Sequence, residues 1–518
     1  MKSKVVSLEN AIGRIKDGSV VAIGGFIGSG HPEAITEEIE KSYLESGAPN
    51  NLTLIYAAGQ GDGKDKGLNH LGHKGLVSRV IGGHWGLAPK LQKLAINNEI
   101  KAYNIPQGVI SHMYRDIAAG KPGTITHVGL KTFVDPRISG GKLNEVTTKE
   151  IVKVINIDGE EYLYYKSIPI DVAIIRATYS DENGNATLEK EAATLDATAM
   201  AQAAKNSGGI VILQVEKIVV KGTLDPRKVK IPAIYVDAIV VAPPEKHMQT
   251  FAEVYNPGYS GELKVQITSI EVLPLDERKV IARRAAMELK KNSIINLGIG
   301  MPEGISIVAN EEGVGDEVTL TVEAGAIGGV PANGLNFGAS LNPISILDQS
   351  SQFDFYDGGG LDAAFLGLAQ CDKNGNINVS KFGPKIPGCG GFINITQNAK
   401  KVVYCGTFTA GGLKVEIKDR KINITNEGKF NKFVSEVEQI TFSGEYAANI
   451  GQEVLYITER AVFILSKEGL VLEEIAPGVD LEKDILSHMD FKPIISADLK
   501  LMDDRIFVDD LMGLELIS

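Results

Sequence analysis

The sequence has few cysteines, no long apolar run and no excess of basic residues, and each absence narrows the function. Three cysteines in 518 residues are an odd number without disulfide or metal-ligand spacing, so reduced thiols are expected. No apolar run approaches the roughly 18 residues of a membrane span, and the N-terminus lacks a signal-peptide core. The net charge of −12, from 53 basic and 65 acidic residues, argues against nucleic acid or an anionic membrane as partner. A cytoplasmic protein is expected.

An internal duplication organises the chain. The pattern Gly-x-Pro-Glu-x-Ile begins at Gly30 and again at Gly300, each time after a strand pattern, and a second echo pairs 181–185 with 372–376. Alternating strand and helix patterns in both halves predict an α/β fold of two similar domains with mostly parallel sheets and the active site between them. We place the domains at residues 1–270 and 276–518. The first domain carries additional residues that include a hairpin near 150–166.

Glu323 stands between a strand pattern and a glycine-rich stretch. The residues from Val318 to Val322 are apolar or β-branched, which is typical of a parallel strand. Ligand chemistry in open α/β sheets lies beyond the carboxyl ends of such strands. Glycines follow at 325, 328 and 329 and leave room for a substrate or another backbone. Glu323 is therefore the first candidate for a reacting group, and a surface acid is the alternative.

Three glycine-rich loops are candidate ligand sites. The loop from Gly24 to Gly30 lies between strand and helix patterns, so its N–H groups could meet an anion or a developing oxyanion. The loop from Gly298 to Gly304 resembles a loosened dinucleotide fingerprint, in which Glu323 would hold a ribose. The loop 388–391 has no helix pattern after it, and its clustered glycines indicate close approach to a ligand.

Other residues carry weaker hypotheses. Cys389 has no histidine nearby in the sequence to activate it, so a packed thiol is favoured over a nucleophile. A metal site at His70 and His73 is disfavoured, because the neighbouring acids Asp62 and Asp65 lie in a loop rich in Gly and Lys. Asp276 is a helix cap, and the basic residues from 278 to 291 are expected on a solvated helix face.

The segment 17–32 resembles, position for position, the N-terminal signature of the family I coenzyme A transferases. The nearest likeness is to the single-chain propionate/acetate, or short-chain acyl, CoA-transferases. In this family the two halves can be separate subunits or one chain, which fits the duplication. Further matching segments are 104–108, 296–300, the Glu323 segment, 388–392, 458–463 and 474–479.

The resemblance implies a mechanism, with one departure in sequence. Many members carry the catalytic glutamate in Ser-Glu-Asn-Gly, whereas this chain has Val322-Glu323-Ala324-Gly325, closer to the propionate-type branch. Acetyl, propionyl, butyryl or lactyl transfer is therefore expected rather than transfer from succinyl-CoA to acetoacetate. Glu323 would carry CoA as a glutamyl thioester between two ping-pong half-reactions. Gln107 is similar to the amide that positions the reacting carboxylate.

The remaining site residues lie in the three loops. Substrate, CoA or oxyanion contacts are expected from Gly24, Gly25, Phe26, Ile27, Gly28 and Gly30; from Asn296, Gly298, Ile299, Gly300, Met301 and Pro302; and from Gly388, Gly390 and Gly391. We expect no metal and no cofactor, because coenzyme A is a substrate. The expected partners are acyl-CoA and short-chain carboxylates, without nucleic acid or membrane, in a homo-oligomer that is suspected to be a tetramer. An NAD-dependent oxidoreductase using the Gly298–Gly304 loop and a CoA-thioester hydrolase stay open.

Overall fold

The computed structural model describes residues 3–266 and 272–517. The α-helices in these residues are α1 (Leu8–Ile12), α2 (Glu33–Ser46), α3 (Pro89–Ile96), α4 (Gln107–Ala118), α5 (Ala197–Asn206), α6 (Pro257–Ser260), α7 (Glu277–Ala286), α8 (Glu303–Glu311), α9 (Gln349–Asp357), α10 (Phe392–Asn398) and α11 (Gly444–Ile450). The strands are β1 (Val20–Ile23), β2 (Leu52–Tyr56), β3 (Val77–Gly82), β4 (Lys101–Asn104), β5 (Gly123–Thr126), β6 (Val152–Ile157), β7 (Glu160–Lys166), β8 (Val172–Asp181), β9 (Ala186–Thr187), β10 (Ile210–Val219), β11 (Val229–Ile231), β12 (Ala238–Val241), β13 (Ile294–Leu297), β14 (Thr319–Thr321), β15 (Ala326–Ile327), β16 (Val330–Pro331), β17 (Ser340–Leu341), β18 (Ser345–Ile346), β19 (Ala363–Gly367), β20 (Gln370–Asp372), β21 (Ile377–Asn378), β22 (Lys401–Cys405), β23 (Thr409–Ala410), β24 (Lys414–Lys418), β25 (Lys421–Asn426), β26 (Phe430–Asn431), β27 (Phe433–Val434), β28 (Glu453–Ile457), β29 (Ala461–Ser466), β30 (Gly469–Ile475) and β31 (Ile494–Leu501).

The chain forms two compact units, and each is assembled from separate stretches. Unit 1 consists of Met1–Val265, Val322–Asp354 and Gly383–Asn394, and unit 2 consists of Gln266–Thr321, Phe355–Phe382 and Ile395–Ser518. The predicted domain bounds, 1–270 and 276–518, rest on the duplication and stay a prediction. Residues 267–271, which include the predicted end of the first domain at 270, lie outside the described residues.

Unit 1 is built on a parallel sheet in the order β4-β3-β2-β1-β8-β10-β12, with β9 and β11 added antiparallel. Its central strands β1 and β2 are rich in Val, Ile and Leu and are almost wholly buried, which is typical of a parallel strand covered on both faces. Strand β1 pairs with β2 and β8, and the loop that follows β1 leads into α2. Strands β6 and β7 form a hairpin whose turn residues, Asp158 and Gly159, both have positive φ.

Unit 2 repeats this plan. Its sheet has the parallel order β14-β13-β19-β22-β28, which β29, β30 and β31 extend. Strand β13 leads through a loop into α8, as β1 leads into α2. The second echo is also structural, because Asp181 Oδ1 accepts from three backbone N–H groups of its turn and Asp372 Oδ1 from two. The predicted α/β class with mostly parallel sheets is confirmed.

Three local predictions need correction. The apolar spacing of Leu8, Ala11, Ile12 and Ile15 predicts a helix that reaches Asp17, but the helix ends at Ile12. A helix, α10, does follow the loop 388–391, and it begins at Phe392. Among the basic residues predicted on a solvated face, Lys290 and Lys291 are exposed and Arg278 is partly exposed, but three residues of α7 are not. Asp276 caps α7 as predicted, but Lys279, Arg283 and Arg284 are buried, where Lys279 meets Glu311 at 2.8 Å and Arg284 meets Glu474 at 2.7 Å. In the described part of the chain, no helix is long and apolar enough to cross a membrane.

Candidate active site

Glu323 lies in a tight turn of unit 1. The N–H of Gly325 donates to the carbonyl of Val322 at 2.9 Å, and Val322 N–H donates to the carbonyl of Ala326. Gly325 has φ 122°, and a Cβ placed there would lie 2.0 Å from the carbonyl oxygen of Leu347. The turn therefore requires glycine at 325. Glu323 itself is half-buried, while Val322 and Ala324 on either side are buried.

The loop 24–30 packs beside this turn. Phe26 and Ile27 belong to the same buried apolar cluster as Val322 and Ala324, the two neighbours of Glu323. Phe26 and Ser29 exchange backbone hydrogen bonds of 2.8 and 2.9 Å, which closes the loop on itself. The structure thus brings the first predicted loop and the predicted nucleophile into one neighbourhood.

The hydrogen bonds of this loop narrow the choice of oxyanion donors. The N–H groups of Gly24, Phe26, Ile27 and Ser29 already donate to protein carbonyl groups. Because a bonded N–H is not available to a substrate oxygen, the glycines at 25, 28 and 30 supply the loop's candidate donors.

Gln107 lies against the third loop. It begins α4, separated from the end of β4 by two residues, and its backbone N–H donates to the carbonyl of Gly390 at 2.9 Å. The N–H of Gly390 donates to the carbonyl of Gly83, and the N–H of Cys389 donates to Asn104 Oδ1, so neither N–H is available to a substrate oxygen. Gly388 and Gly391 therefore supply this loop's candidate donors.

Three polar residues that the sequence analysis missed extend from Gln107. Its Nε2 donates to Gln349 Oε1 at 3.1 Å, and Gln349 Nε2 donates to Asp196 Oδ2 at 2.8 Å and to Ser111 Oγ at 2.7 Å. Burial raises the pKa of Asp196 to about 7, although Ser111, His112 and Gln349 oppose this shift. The only local signal was an aspartate just before a helix pattern, which indicates a cap and not a buried network.

The remaining predicted loop belongs to unit 2. Asn296 is buried at the end of β13, where its side-chain amide donates to the carbonyl of Thr321 at 3.2 Å. Beyond it the loop is open, because Gly300 has no atom within 4 Å of an added Cβ and Ile299 is 56% exposed. Pro302 is buried, Gly298 and Met301 are half-buried, and α8 begins at Glu303.

Cys389, His70 and His73, the weaker candidates from the sequence, are buried or held in ion-pair contacts. Cys389 is buried, and burial raises the pKa of its thiol well above the ordinary value, which does not favour a thiolate nucleophile. His70 contacts Glu33 at 3.0 Å, and His73 contacts Glu40 at 2.6 Å, so both histidines lie in ion-pair contacts. Among the described residues, no group of three or more His, Cys, Asp and Glu side chains could hold a metal ion.

Similarity to known proteins identifies the family. A family model described as coenzyme A transferase matches residues 5–242. The chain is 49% identical to an acetate CoA-transferase, YdiF, of Escherichia coli (strain K12) over 514 residues, which cover 99% of this chain and 96% of that protein. The chain belongs to the coenzyme A transferase family.

Two further similarities refine this assignment. A caffeate CoA-transferase of Acetobacterium woodii is also 49% identical, over 99% of both chains. The crystal structure of the E. coli O157:H7 acyl-CoA transferase YdiF as a thioester complex with CoA superposes with a TM-score of 0.94 at 47% identity, covering 100% of this chain and 98% of that chain. The protein is an enzyme of the CoA-transferase class, and the oxidoreductase alternative finds no support in these relatives.

Proposed function

We propose that the protein is a short-chain acyl-CoA:carboxylate CoA-transferase and that Glu323 is its nucleophile. The observation that carries the proposal is the 49% identity, over almost the whole chain, to an acetate CoA-transferase. The position of Glu323 is consistent with this role, because it is half-buried in a fixed turn beside the loop 24–30.

The reaction follows from the chemistry of a carboxylate nucleophile. The Glu323 carboxylate attacks the acyl-CoA carbonyl, the C–S bond breaks, and an acyl-glutamyl anhydride and CoA thiolate result. The thiolate then attacks the glutamyl carbonyl, which forms the glutamyl-CoA thioester and releases the first carboxylate. A second carboxylate repeats these steps in reverse and regenerates Glu323.

Each addition step develops negative charge on a carbonyl oxygen, which needs N–H donors. We assign these donors to Gly25, Gly28 or Gly30 in the first loop and to Gly388 or Gly391 in the third. One lost donor of this kind costs about 10²–10³ in rate. Gln107 would position the reacting carboxylate, and the exposed loop 298–302 would contact CoA.

Two equally similar relatives are named for acids of different size, acetate and caffeate. We favour acetate, propionate, butyrate or lactate, and the experiment is an acceptor screen of these acids with caffeate and acetoacetate. Double-reciprocal plots of the initial rate, with both substrate concentrations varied, should give parallel lines, because a ping-pong reaction releases one product before the second substrate binds. A preference for caffeate would replace the short-chain proposal with an aromatic-acid transferase.

Substitution of Glu323 tests the mechanism directly. Glu323→Gln removes the nucleophile and should abolish exchange, while Glu323→Asp displaces it by about one methylene and should cost roughly 10²-fold. With acyl-CoA and no acceptor, CoA should load onto the peptide that contains Glu323, and borohydride should reduce the loaded residue to an alcohol. Wild-type turnover by a Gln variant free of deamidation would remove Glu323 from the nucleophile role. Rapid loss of acyl-CoA without an acceptor would indicate the hydrolase instead.

We also propose that the reaction needs neither a metal nor a redox cofactor and that the enzyme is a homo-oligomer. Activity should persist after exhaustive treatment with a chelator. Light scattering at assay concentration should give a mass above the 55.5 kDa of one chain, with a tetramer as the suspected state.

A further inference from the structure

A buried polar chain in unit 1 links Gln107 to Asp196. Four side chains take part: Gln107, Ser111, Asp196 and Gln349. Their exposed fractions are 2%, 0%, 5% and 1%. The members come from three segments that are far apart in the sequence, since Gln107 and Gln349 are separated by 242 residues. Water therefore does not set the orientation of these side chains, and their own hydrogen bonds do.

The carboxylate at the end of the chain determines the direction of every bond in it. Above its pKa of about 7 the Asp196 carboxyl is ionised and only accepts hydrogen bonds, so in that pH range the Gln349 amide must turn its nitrogen toward Asp196, at 2.8 Å. Its oxygen then faces Gln107, which donates from Nε2 at 3.1 Å. An amide that lacks such a partner can exchange its nitrogen and oxygen positions by rotation. Asp196 thus selects one orientation for Gln349 and, through it, one for Gln107.

Asp196 makes these bonds instead of the bond expected from its position. It precedes α5 at the capping position, but its side chain makes no capping hydrogen bond. The carboxylate accepts from Ser111 at 3.1 Å and from Gln349, while its Oδ1 has no hydrogen-bond partner. Burial with an unsatisfied oxygen costs stability, which an ordinary cap would not.

The backbone ties this chain to the turn of Glu323. Leu195 has φ 52°, a left-handed conformation that is unfavourable for a bulky residue. Its carbonyl accepts from the backbone N–H of Gln349 at 3.0 Å, and its side chain packs in the cluster that holds Val322 and Ala324. A strained residue therefore joins the polar chain to the neighbours of Glu323, and strain of this kind is concentrated at functional sites.

We propose that Asp196 and Gln349 are positioning residues that hold the amide of Gln107 in a single orientation toward the reacting carboxylate. This inference rests on the proposed function, in which Gln107 positions that carboxylate. Gln107 is fixed at its backbone by Gly390 and at its side chain by Gln349. Asp196 acts through Gln349, with no contact of its own to substrate.

Asp196→Asn tests the proposal with little change of shape. Asparagine can both donate and accept, so both orientations of Gln349 become possible. We expect kcat to fall by about 10–100-fold, because displacement of a positioning group by about 1 Å costs up to roughly 10²-fold, while KM for acyl-CoA stays within about twofold. Thr198→Val is the matched control. Thr198 lies on α5, the helix that follows Asp196, and its hydroxyl donates to the backbone carbonyl of Lys230, which takes no part in the buried polar network. The kcat of Thr198→Val should equal the wild-type value.

A double-mutant cycle separates positioning from mere folding support. In a Gln107→Met background, adding Asp196→Asn should change kcat by less than about twofold, because the residue through which Asp196 acts is gone. Equal effects in both backgrounds, or wild-type kcat in Asp196→Asn, would overturn the inference. If Asp196→Asn does not fold, Gln349→Met takes its place in the same cycle, with the same expected coupling to Gln107.

CoA loading distinguishes this inference from the proposed function. The Asp196→Asn enzyme should still load CoA onto the Glu323 peptide, but more slowly than wild type. Loading at the wild-type rate would overturn the positioning role while leaving Glu323 as the nucleophile. Turnover by Glu323→Gln, in contrast, would overturn the proposed function itself.

Discussion

The two copies of the Gly-x-Pro-Glu-x-Ile motif have the same backbone plan and opposite environments. In unit 1 the loop is closed: Glu33 is buried and bonded to His70, and a Cβ on Gly28, two residues before the motif, would lie 2.3 Å from the backbone nitrogen of Phe251. In unit 2 the loop is open, with Ile299 56% exposed and nothing within 4 Å of an added Cβ at Gly300. The repeated sequence therefore specifies the strand, turn and helix, while the surrounding residues decide whether the loop is packed or exposed to solvent.

Alanine substitutions at Gly28 and Gly300 should give the largest difference in stability between the two loops. Gly28→Ala places a methyl group against the Phe251 backbone, which cannot move aside as a side chain can, so we expect a loss of about 3 kcal/mol or more in unfolding free energy. Gly300→Ala meets no atom, and its cost is only that of a positive φ of 86°, about 1 kcal/mol. Urea unfolding of both variants measures the difference. Equal losses would mean that the two loops are equally constrained.

Substitution of the two motif glutamates, Glu33 and Glu303, should give the second-largest difference in stability. Burial alone would raise the pKa of Glu33, but His70 and His31 outweigh it and lower the pKa to about 2. Glu33→Gln should therefore cost about 2–3 kcal/mol, whereas Glu303→Gln, which loses a half-exposed contact to Arg278 at 3.7 Å, should cost less than about 1 kcal/mol.

The Glu33 effect should also depend on pH. A lowered carboxyl pKa gives stability that is present above the unfolded value of 4.5 and lost as pH falls toward 2. The pKa of His70 is raised by Glu33 and Glu40 against its burial, so its contribution is present below 6.5 and lost as pH rises through the folded value. The difference in Tm between wild type and Glu33→Gln should be largest between pH 4.5 and 6.5. A difference that grows steadily toward pH 9 would contradict this pairing.

The paired turns at Asp181 and Asp372 should show a smaller contrast. Asp181 Oδ1 accepts three backbone hydrogen bonds and Asp372 Oδ1 accepts two. We expect alanine to cost about 1–3 kcal/mol at each position, and more at Asp181, because buried N–H groups lose their acceptor. Thermal unfolding gives the order. Asparagine, which keeps an oxygen, is the control and should recover most of the loss at both sites.

Ile299→Ser should have the smallest effect on folding and a selective effect on catalysis. The side chain is already 56% exposed, so Tm should stay within about 1 °C of wild type. If the open loop contacts CoA, the loss of about 1 kcal/mol of apolar contact raises KM for acyl-CoA roughly fivefold and leaves KM for the acceptor acid unchanged. Val254→Ser, at a 63% exposed position of unit 1, is the control. Unchanged kinetics would remove the loop from CoA binding.

Short-range features of the fold could be predicted from the sequence. Strands β1 and β13, the Asp276 cap and the Asp181 and Asp372 turns depend on residues within a few positions of one another, and a sequence displays such neighbours directly. The position of Glu323 after β14 also followed from the strand pattern.

Long-range contacts could not be predicted in the same way. Arg284 is buried because Glu474, 190 residues away, neutralises it, so its assignment to solvent was wrong. Gln349 and Asp196 were missed for the same reason: 153 residues separate them, and each alone is an ordinary polar residue. A pairing that only the folded chain creates leaves no local pattern.

The discontinuity of unit 1 has a consequence for synthesis. Its last stretch ends at Asn394, so the unit is incomplete when residue 265 leaves the ribosome. At about 5–20 residues per second, translation takes on the order of ten seconds to supply the missing stretches. Until then, the cluster around Phe26 and Ile27 lacks Val322, Ala324 and Phe337. The nascent chain thus exposes apolar surface for a defined interval, and a pause in translation between residues 265 and 394 would lengthen the time during which it can aggregate.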